Sequence, residues 1–335
     1  MKADTSQTAM PPGTASSATR ALNVLVVGEE SAGMELVRTL ARGPHRIVGV
    51  LTSSEIPGGK IGSLWGAAQK LGLATLPAKR VKDPTLADDI RAQQVDVLLN
   101  VHSLYIINRD VLAAPRLGSF NLHPGPLPHY AGLNCVSWAL YHGESCYGVT
   151  LHKMEPEIDA GAIAGQALFD IEDKDTALTL TLKCVKAGLP LIHELLRSAA
   201  ETGAIPMQPQ DLTERRYYGK DVPEGGWLDW SRSARAVFNF IRACDYFPFR
   251  SPWGHAKARL AGEEIGILKA ALLGQPADET PGTVGARFGE AVRVACGDEW
   301  IGVTKVFSGG KYRDAVEVLQ PGMQLEGGPE GRGSA

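Results

Sequence analysis

The sequence has no pair of cysteines at C-x-x-C spacing. Its five cysteines, Cys135, Cys146, Cys184, Cys244 and Cys296, are scattered and odd in number, so neither a disulfide framework nor a zinc site is indicated. They read as reduced, buried thiols of a cytoplasmic protein. An excess of positive charge is also missing. The net charge of −3 and pI near 6.3 give no overall field for neutralising phosphates. From Asp245 onward, ten Lys and Arg stand against twelve Asp and Glu. No apolar run reaches membrane-spanning length, and the N-terminus lacks a signal peptide's charged start and hydrophobic middle. A cytoplasmic location without membrane attachment is the expectation. The dinucleotide fingerprint is absent as well. Gly28-Glu-Glu-Ser-Ala-Gly33 follows a strand-like run but is not G-x-G-x-x-G, and its adjacent acids would repel a pyrophosphate. NAD is therefore rejected.

What is present suits a soluble protein with more than one core: 335 residues, 44% hydrophobic and 21% charged. Residues 1–20 are rich in Ala, Ser, Thr and Pro and read as a tail. Ala21–Gly28, Arg46–Leu51 and Val95–Val101 are aliphatic, β-branched runs, the pattern of strands buried on both faces of a parallel sheet. Between them, Glu29–Arg42, Ile61–Leu71 and Pro84–Gln94 have helical spacing. The Thr52–Lys60 loop, with Pro57, Gly58, Gly59 and Lys60, reads as a solvated turn; the alternative is a substrate-facing loop holding an anion on Lys60. Ala162–Ile171 completes the sheet, and Thr176–Glu201 is a long helix ended by Gly203. Pro206–Tyr218 is polar and unperiodic, which marks an inter-domain crossing. Beyond it, Arg232–Ala243 is helical. Short β-prone runs follow at 256–261, 264–272, 282–288, 291–295 and 300–307.

The chemistry concentrates between Gly118 and Gly161. Ser119–His123 is a short strand-like run stopped by Pro124, so Asn121 and His123 project from one face of its carboxyl end. That is where open α/β sheets hold ligands. Three prolines in Pro124–Pro128 make the next loop stiff. A helix over Asn134–Tyr141 and a strand over Tyr147–Met154 lead to a turn, Glu155–Gly161, that carries Asp159. Asn and a protonated His can donate to an oxygen gaining negative charge, and a carboxylate can orient that His and accept a proton. No nucleophilic side chain is required. The set suits transfer of an acyl-type group to an amine through a tetrahedral intermediate.

Asn-Leu-His-Pro-Gly-Pro-Leu-Pro at 121–128 and Glu-Ile-Asp-Ala-Gly-Ala-Ile at 157–163 resemble the signature of the folate-dependent formyltransferases. These include the methionyl-tRNA, glycinamide ribonucleotide and nucleotide-sugar formyltransferases, and the hydrolase domain of formyltetrahydrofolate dehydrogenase. The resemblance covers most of residues 21–320 and is strongest in the first half. It implies Asn121, His123 and Asp159 as catalytic residues and 10-formyltetrahydrofolate as formyl donor. It also implies a pterin pocket lined by Leu104, Tyr105, Ile106 and Asp159, with no metal. The implied fold is a Rossmann-like parallel-sheet α/β domain, then a smaller β-rich, open-barrel (OB-like) domain. Boundaries follow: tail 1–20, catalytic domain 21–204, linker 205–226, C-terminal domain 227–325 and tail 326–335. Asp229 and Trp230 match a turn at the family's domain boundary.

Other residues carry less. His102 lies outside the matched motif and reads as a hydrogen-bonded loop histidine, while His142 and His152 read as structural. His129 stands where many members have a basic residue, and Ala131 replaces a common Arg. Tyr246–Trp253 is either a hinge or a wall of the acceptor site. The weak charge of the second half argues for a small-molecule amine over initiator tRNA, although Arg250, Lys257 and Arg259 form a candidate local patch. A hydrolase acting on formyl-folate and a non-catalytic folate binder are the rivals; oligomeric state is left open.

Overall fold

The computed structural model describes residues 20–53 and 63–328. Of the expected tails, 1–20 and 326–335, residues 1–19 and 329–335 lie outside those residues, as does the loop segment with Lys60. The first half alternates strands and helices: β1 (Asn23–Gly28), α1 (Glu30–Leu40), β2 (Arg46–Thr52), α2 (Leu64–Lys70), β3 (Thr75–Pro77), α3 (Leu86–Ala92), β4 (Val97–Val101) and α4 (Arg109–Leu112). Then come β5 (Gly118–His123), the two-residue β6 (Ala131–Gly132), α5 (Cys135–His142), β7 (Cys146–Lys153), β8 (Ile163–Asp170) and α6 (Ala177–Thr202). The sheet order is β3-β2-β1-β4-β5-β7-β8. Its first five strands are parallel. The parallel sheet expected from the sequence is present in these five strands, and the other edge makes the sheet mixed: β7 runs antiparallel to β5, and β8 antiparallel to β7. A tight β7–β8 connection, carrying the Glu155–Gly161 turn, leaves no room for the crossover that parallel pairing needs.

Alternation within the buried strands explains the two covered faces. Val24 and Val26 of β1 and Val97, Leu99 and Val101 of β4 join one core with α1, α5 and α6. Leu25, Val27 and Leu98 face the other way, against Leu86 and Ile90 of α3 and Val111 of α4.

After α6 come β9 (Tyr217–Tyr218), α7 (Ala234–Ala243), β10 (Ala256–Leu260), β11 (Glu263–Pro276), β12 (Val284–Phe288), β13 (Ala291–Ala295), β14 (Glu299–Ser308), β15 (Lys311–Asp314), α8 (Ala315–Val318) and β16 (Leu325–Glu326). The strands β10 to β16 form a separate antiparallel sheet in the order β12-β13-β14-β11-β10-β16, with β15 also on β14. A bridge between Thr283 and Gln324 joins the two ends of that path, so the sheet curls back on itself in the manner of a small barrel.

The stretch read as a crossing does more than cross. Gln208 exchanges backbone hydrogen bonds with Ile163, and β9 pairs with β6. Its backbone polar groups are spent on neighbouring loops, so it buries no periodic face.

Candidate active site

The strands β4 and β5 end together at the carboxyl edge of the first sheet, and antiparallel β7 runs alongside β5 there. Register sets Asn100 of β4 beside Asn121 of β5, and Asn121 opposite His152 of β7, with His123 opposite Thr150. Partners in register share a face, so Asn100, Asn121 and His152 form one row across the sheet. Asn100 Nδ2 donates to Asn121 Oδ1 at 2.9 Å, and Asn121 Nδ2 lies 3.3 Å from His152 Nε2.

Asp159 reaches this row from the β7–β8 turn. Its φ of 54° lies in the left-handed region that Asp tolerates better than most residues. Gln210 Nε2 donates to the Asp159 and Gly161 carbonyls at 2.9 and 2.6 Å, and Arg215 to the Ile158 carbonyl at 2.8 Å. The Asp159 carboxylate accepts from the Gly132 N–H at 2.9 Å and sits 3.5 Å from His123 Nδ1 and 3.4 Å from His152 Nε2. His123, His152 and Asp159 are 3%, 2% and 9% exposed. Burial alone would raise the Asp159 pKa. The neighbouring His123 and His152 and the Gly132 N–H outweigh it and hold the carboxyl well below its usual range. Asp159 is therefore an anion between two imidazoles.

His123 Nε2–H donates to the Tyr130 carbonyl at 2.5 Å, which leaves Nδ1 toward Asp159. Burial lowers its pKa, Asp159 and the Tyr130 carbonyl push back up, His152 pushes down, and the net is below an ordinary histidine. The proline loop is fixed as its composition predicts. Thr150 Oγ1 donates to the Gly125 carbonyl and accepts from Leu127 N–H, Gln166 Nε2 donates to the Leu127 carbonyl, and Tyr147 Oη to the Pro124 carbonyl. A Cβ on Gly125 would meet the Tyr130 carbonyl at 2.7 Å and His123 Nε2 at 2.9 Å, so only glycine lets the loop fold over the imidazole.

Thus Asn121 and His123 on one strand and Asp159 from the distant β7–β8 turn converge on one end of the sheet. Leu104 and Ile106, on the loop after β4, stand 83% and 66% exposed, and Tyr105 lies under Lys82 Nζ. Among the described residues no hydrogen bond joins that loop's side chains to Asn121, His123 or Asp159. Two residues that sequence reasoning left aside belong to the site. His152 shares Asp159 with His123 and stands directly opposite Asn121 across the β5–β7 pair, a long-range pairing that no local sequence pattern announces. His102 has φ 60°, and burial, with the nearby His123, draws its pKa down to about 4. Of the Tyr246–Trp253 stretch, Phe247 and Phe249 wall a cavity of about 250 Å³ with His255, Lys269 and Tyr312. None of Asn121, His123 and Asp159 lines it. Four cysteines are buried as expected, but Cys146 is exposed. No group of His, Cys, Asp and Glu among the described residues is arranged to hold a metal, and none of their helices is long and apolar enough to cross a membrane.

Comparison with known proteins gives two family-model matches: formyl transferase over residues 20–196, and formyl transferase, C-terminal domain, over residues 222–321. Among solved structures, an N-formyltransferase from Helicobacter canadensis, in complex with folinic acid and dTDP-3-aminofucose, is 18% identical with a TM-score of 0.64, covering 84% of this chain and 98% of that one. WlaRD, a sugar 3N-formyl transferase in the presence of dTDP and 5-N-formyl-THF, is 20% identical with a TM-score of 0.66, covering 85% and 98%. HypX from Aquifex aeolicus, in complex with tetrahydrofolic acid, is 19% identical with a TM-score of 0.63; the match covers 89% of this chain and 47% of that one. At these identities the likeness is one of fold.

Proposed function

Since this chain belongs to the formyl transferase family, we propose that it moves the formyl group of 10-formyltetrahydrofolate to a primary amine on a small molecule, such as an amino sugar nucleotide or an amino acid-derived intermediate. The observation that carries this is the convergence of Asn121, His123 and an anionic Asp159 at the carboxyl end of the sheet. The acceptor nitrogen bonds to the formyl carbon. Asn121 Nδ2–H and the His123 N–H, redirected from the Tyr130 carbonyl, donate to the oxyanion. Asp159 takes the amine's proton directly or through water, the bond to folate nitrogen breaks, and that nitrogen leaves carrying the proton relayed back from Asp159. Leu104, Tyr105 and Ile106 line the pterin site, with Leu104 and Ile106 offering apolar side chains free of the core. The boundaries 21–204 and 227–325, with 205–226 between, are part of the proposal.

Two features favour a small acceptor over tRNA. Folds like this one occur in enzymes crystallised with dTDP or dTDP-3-aminofucose. In the second half, Lys257 and Arg259 both lie over the Trp227 ring, at 5.4 and 5.3 Å, which engages two of the three cations of the candidate patch.

The test incubates the protein with 10-formyltetrahydrofolate and, separately, a panel of aminosugar nucleotides and amino acids, initiator methionyl-tRNA, or no acceptor. A formylated small amine is the expected product, and Asn121→Ala should lower its rate about a hundredfold. Efficient formylation of tRNA alone, or formate release without acceptor, would replace this reading with the tRNA enzyme or the hydrolase.

A further inference from the structure

We propose that Asn100, on β4 and outside the Asn-x-His motif, is a positioning residue that fixes which way the Asn121 carboxamide points. The inference rests on Asn121 being an oxyanion donor.

Both ends of the row are closed by backbone carbonyls, which can only accept. At one end Asn100 Nδ2 donates to the Ser103 carbonyl at 3.2 Å as well as to Asn121 Oδ1 at 2.9 Å. At the other, His152 Nδ1–H donates to the Lys153 carbonyl at 2.9 Å, and its Nε2 faces both Asn121 Nδ2 at 3.3 Å and an Asp159 carboxylate oxygen at 3.4 Å. The direction of the row is therefore set from the Asn100 end. Turning the Asn121 amide over would set its NH₂ against the NH₂ of Asn100. With its oxygen held on β4, Asn121 keeps its amino group turned away from Asn100 and able to donate to a reacting carbonyl. Asn100 Oδ1 itself is buried without a hydrogen-bond partner, in a residue only 7% exposed. An unpaired buried acceptor is unfavourable, so the contribution of this side chain lies in its amino group.

The test compares Asn100→Ala, Asn100→Asp and Asn121→Ala by kcat, by KM for the formyl donor, and by thermal unfolding. Aspartate keeps the shape but only accepts, which draws the Asn121 NH₂ toward β4 and its oxygen toward the reacting carbonyl. Asn100→Asp should therefore lose about a hundredfold in kcat, as Asn121→Ala does. Asn100→Ala should lose tenfold or less, with donor KM little changed in both. A residue that merely fills space predicts the reverse order, because alanine leaves a cavity and aspartate does not; that order, or a wild-type kcat for Asn100→Asp, overturns the proposal. If Asn121→Ala itself turns over at the wild-type rate, the oxyanion role of Asn121 falls instead. Should Asn100→Asp fail to fold, Asn100→Leu, branched like asparagine but without a polar atom, carries the test: a fall in kcat at unchanged donor KM supports the role, and an unchanged kcat ends it.

Discussion

At the scale of single residues, the site is a collection of buried polar groups whose protonation is set by neighbours rather than by solvent. His102 gives the clearest consequence. Its folded pKa is about 4 against an ordinary 6.5. As pH falls below 6.5 the unfolded chain takes up that proton first, so acidification toward 4 favours unfolding, by about 3 kcal/mol at most from this group. His123, also lowered, acts with the same sign. Urea midpoints at pH 7, 5.5 and 4.5 should fall steadily for the wild type and less steeply for His102→Gln; identical slopes would show that another group is responsible. Neither shift was legible in the sequence, because burial of an imidazole depends on which strands lie beside it. The positions of His123 and Asp159 at a strand end and in a turn were legible because Pro124 follows the one and Gly161 stands two residues after the other, and Asn121 shares the strand face of His123. His152 was not, since a histidine in the middle of a strand looks the same whether it faces a core or a carboxylate. Only the pairing of β5 with β7 distinguishes the two.

At the scale of elements, the site depends on how tightly the β7–β8 turn is folded. A Cβ on Gly161 would meet the Lys153 carbonyl oxygen at 1.9 Å, which no side-chain adjustment can relieve. Gly161→Ala must therefore push the turn outward, taking Asp159 with it. A cost of about 2 kcal/mol in stability is expected, together with a loss of about a hundredfold in turnover from the displaced carboxylate. The two readouts separate the effects: a variant with the lower melting temperature but full activity would mean that Asp159 need not be held where it is. The longer helices and the interior strands were legible from periodicity, including α6, whose start is a capping box from Thr176 and Thr179, whereas the four-residue α4 and α8 were not. The two-residue β6 and β9 were not. They exist because residues 208–218 strap the Pro124–Gly132 loop and the Asp159 turn together through Gln210, Arg215 and backbone bonds, contacts that leave no hydrophobic pattern.

At the scale of the molecule, the two sheets are bound by α7 and cannot be treated as beads on a string. One hydrophobic core runs from Leu22 of the first half to Leu325 of the second. Its seam is aromatic: Trp138 and Tyr141 of α5 meet Trp253 and Phe240, with ring centroids 5.1 and 5.2 Å apart for the pairs Trp138–Trp253 and Tyr141–Phe240. The second half supplies the Asp298 carboxylate that accepts from the N–H of Ala234, the first residue of α7. On the other side of that helix Arg242, 6% exposed, donates to Asn239 Oδ1 at 3.0 Å and to the carbonyls of Glu172 and Asp175 at 3.0 and 3.4 Å, between β8 and α6. Removing a buried charged donor leaves its acceptors unpaired as well as losing the bonds, which typically costs about 2–3 kcal/mol. The continuity of the core predicts that the wild type unfolds in urea in one transition, with far-UV circular dichroism and tryptophan fluorescence superimposed. Arg242→Met keeps the apolar stem but frees those carbonyls, so it should destabilise by that amount and separate the two probes as the halves uncouple. Superimposed curves in the variant, at an unchanged midpoint, would mean that the aromatic seam alone joins the two sheets and that Arg242 adds nothing to it.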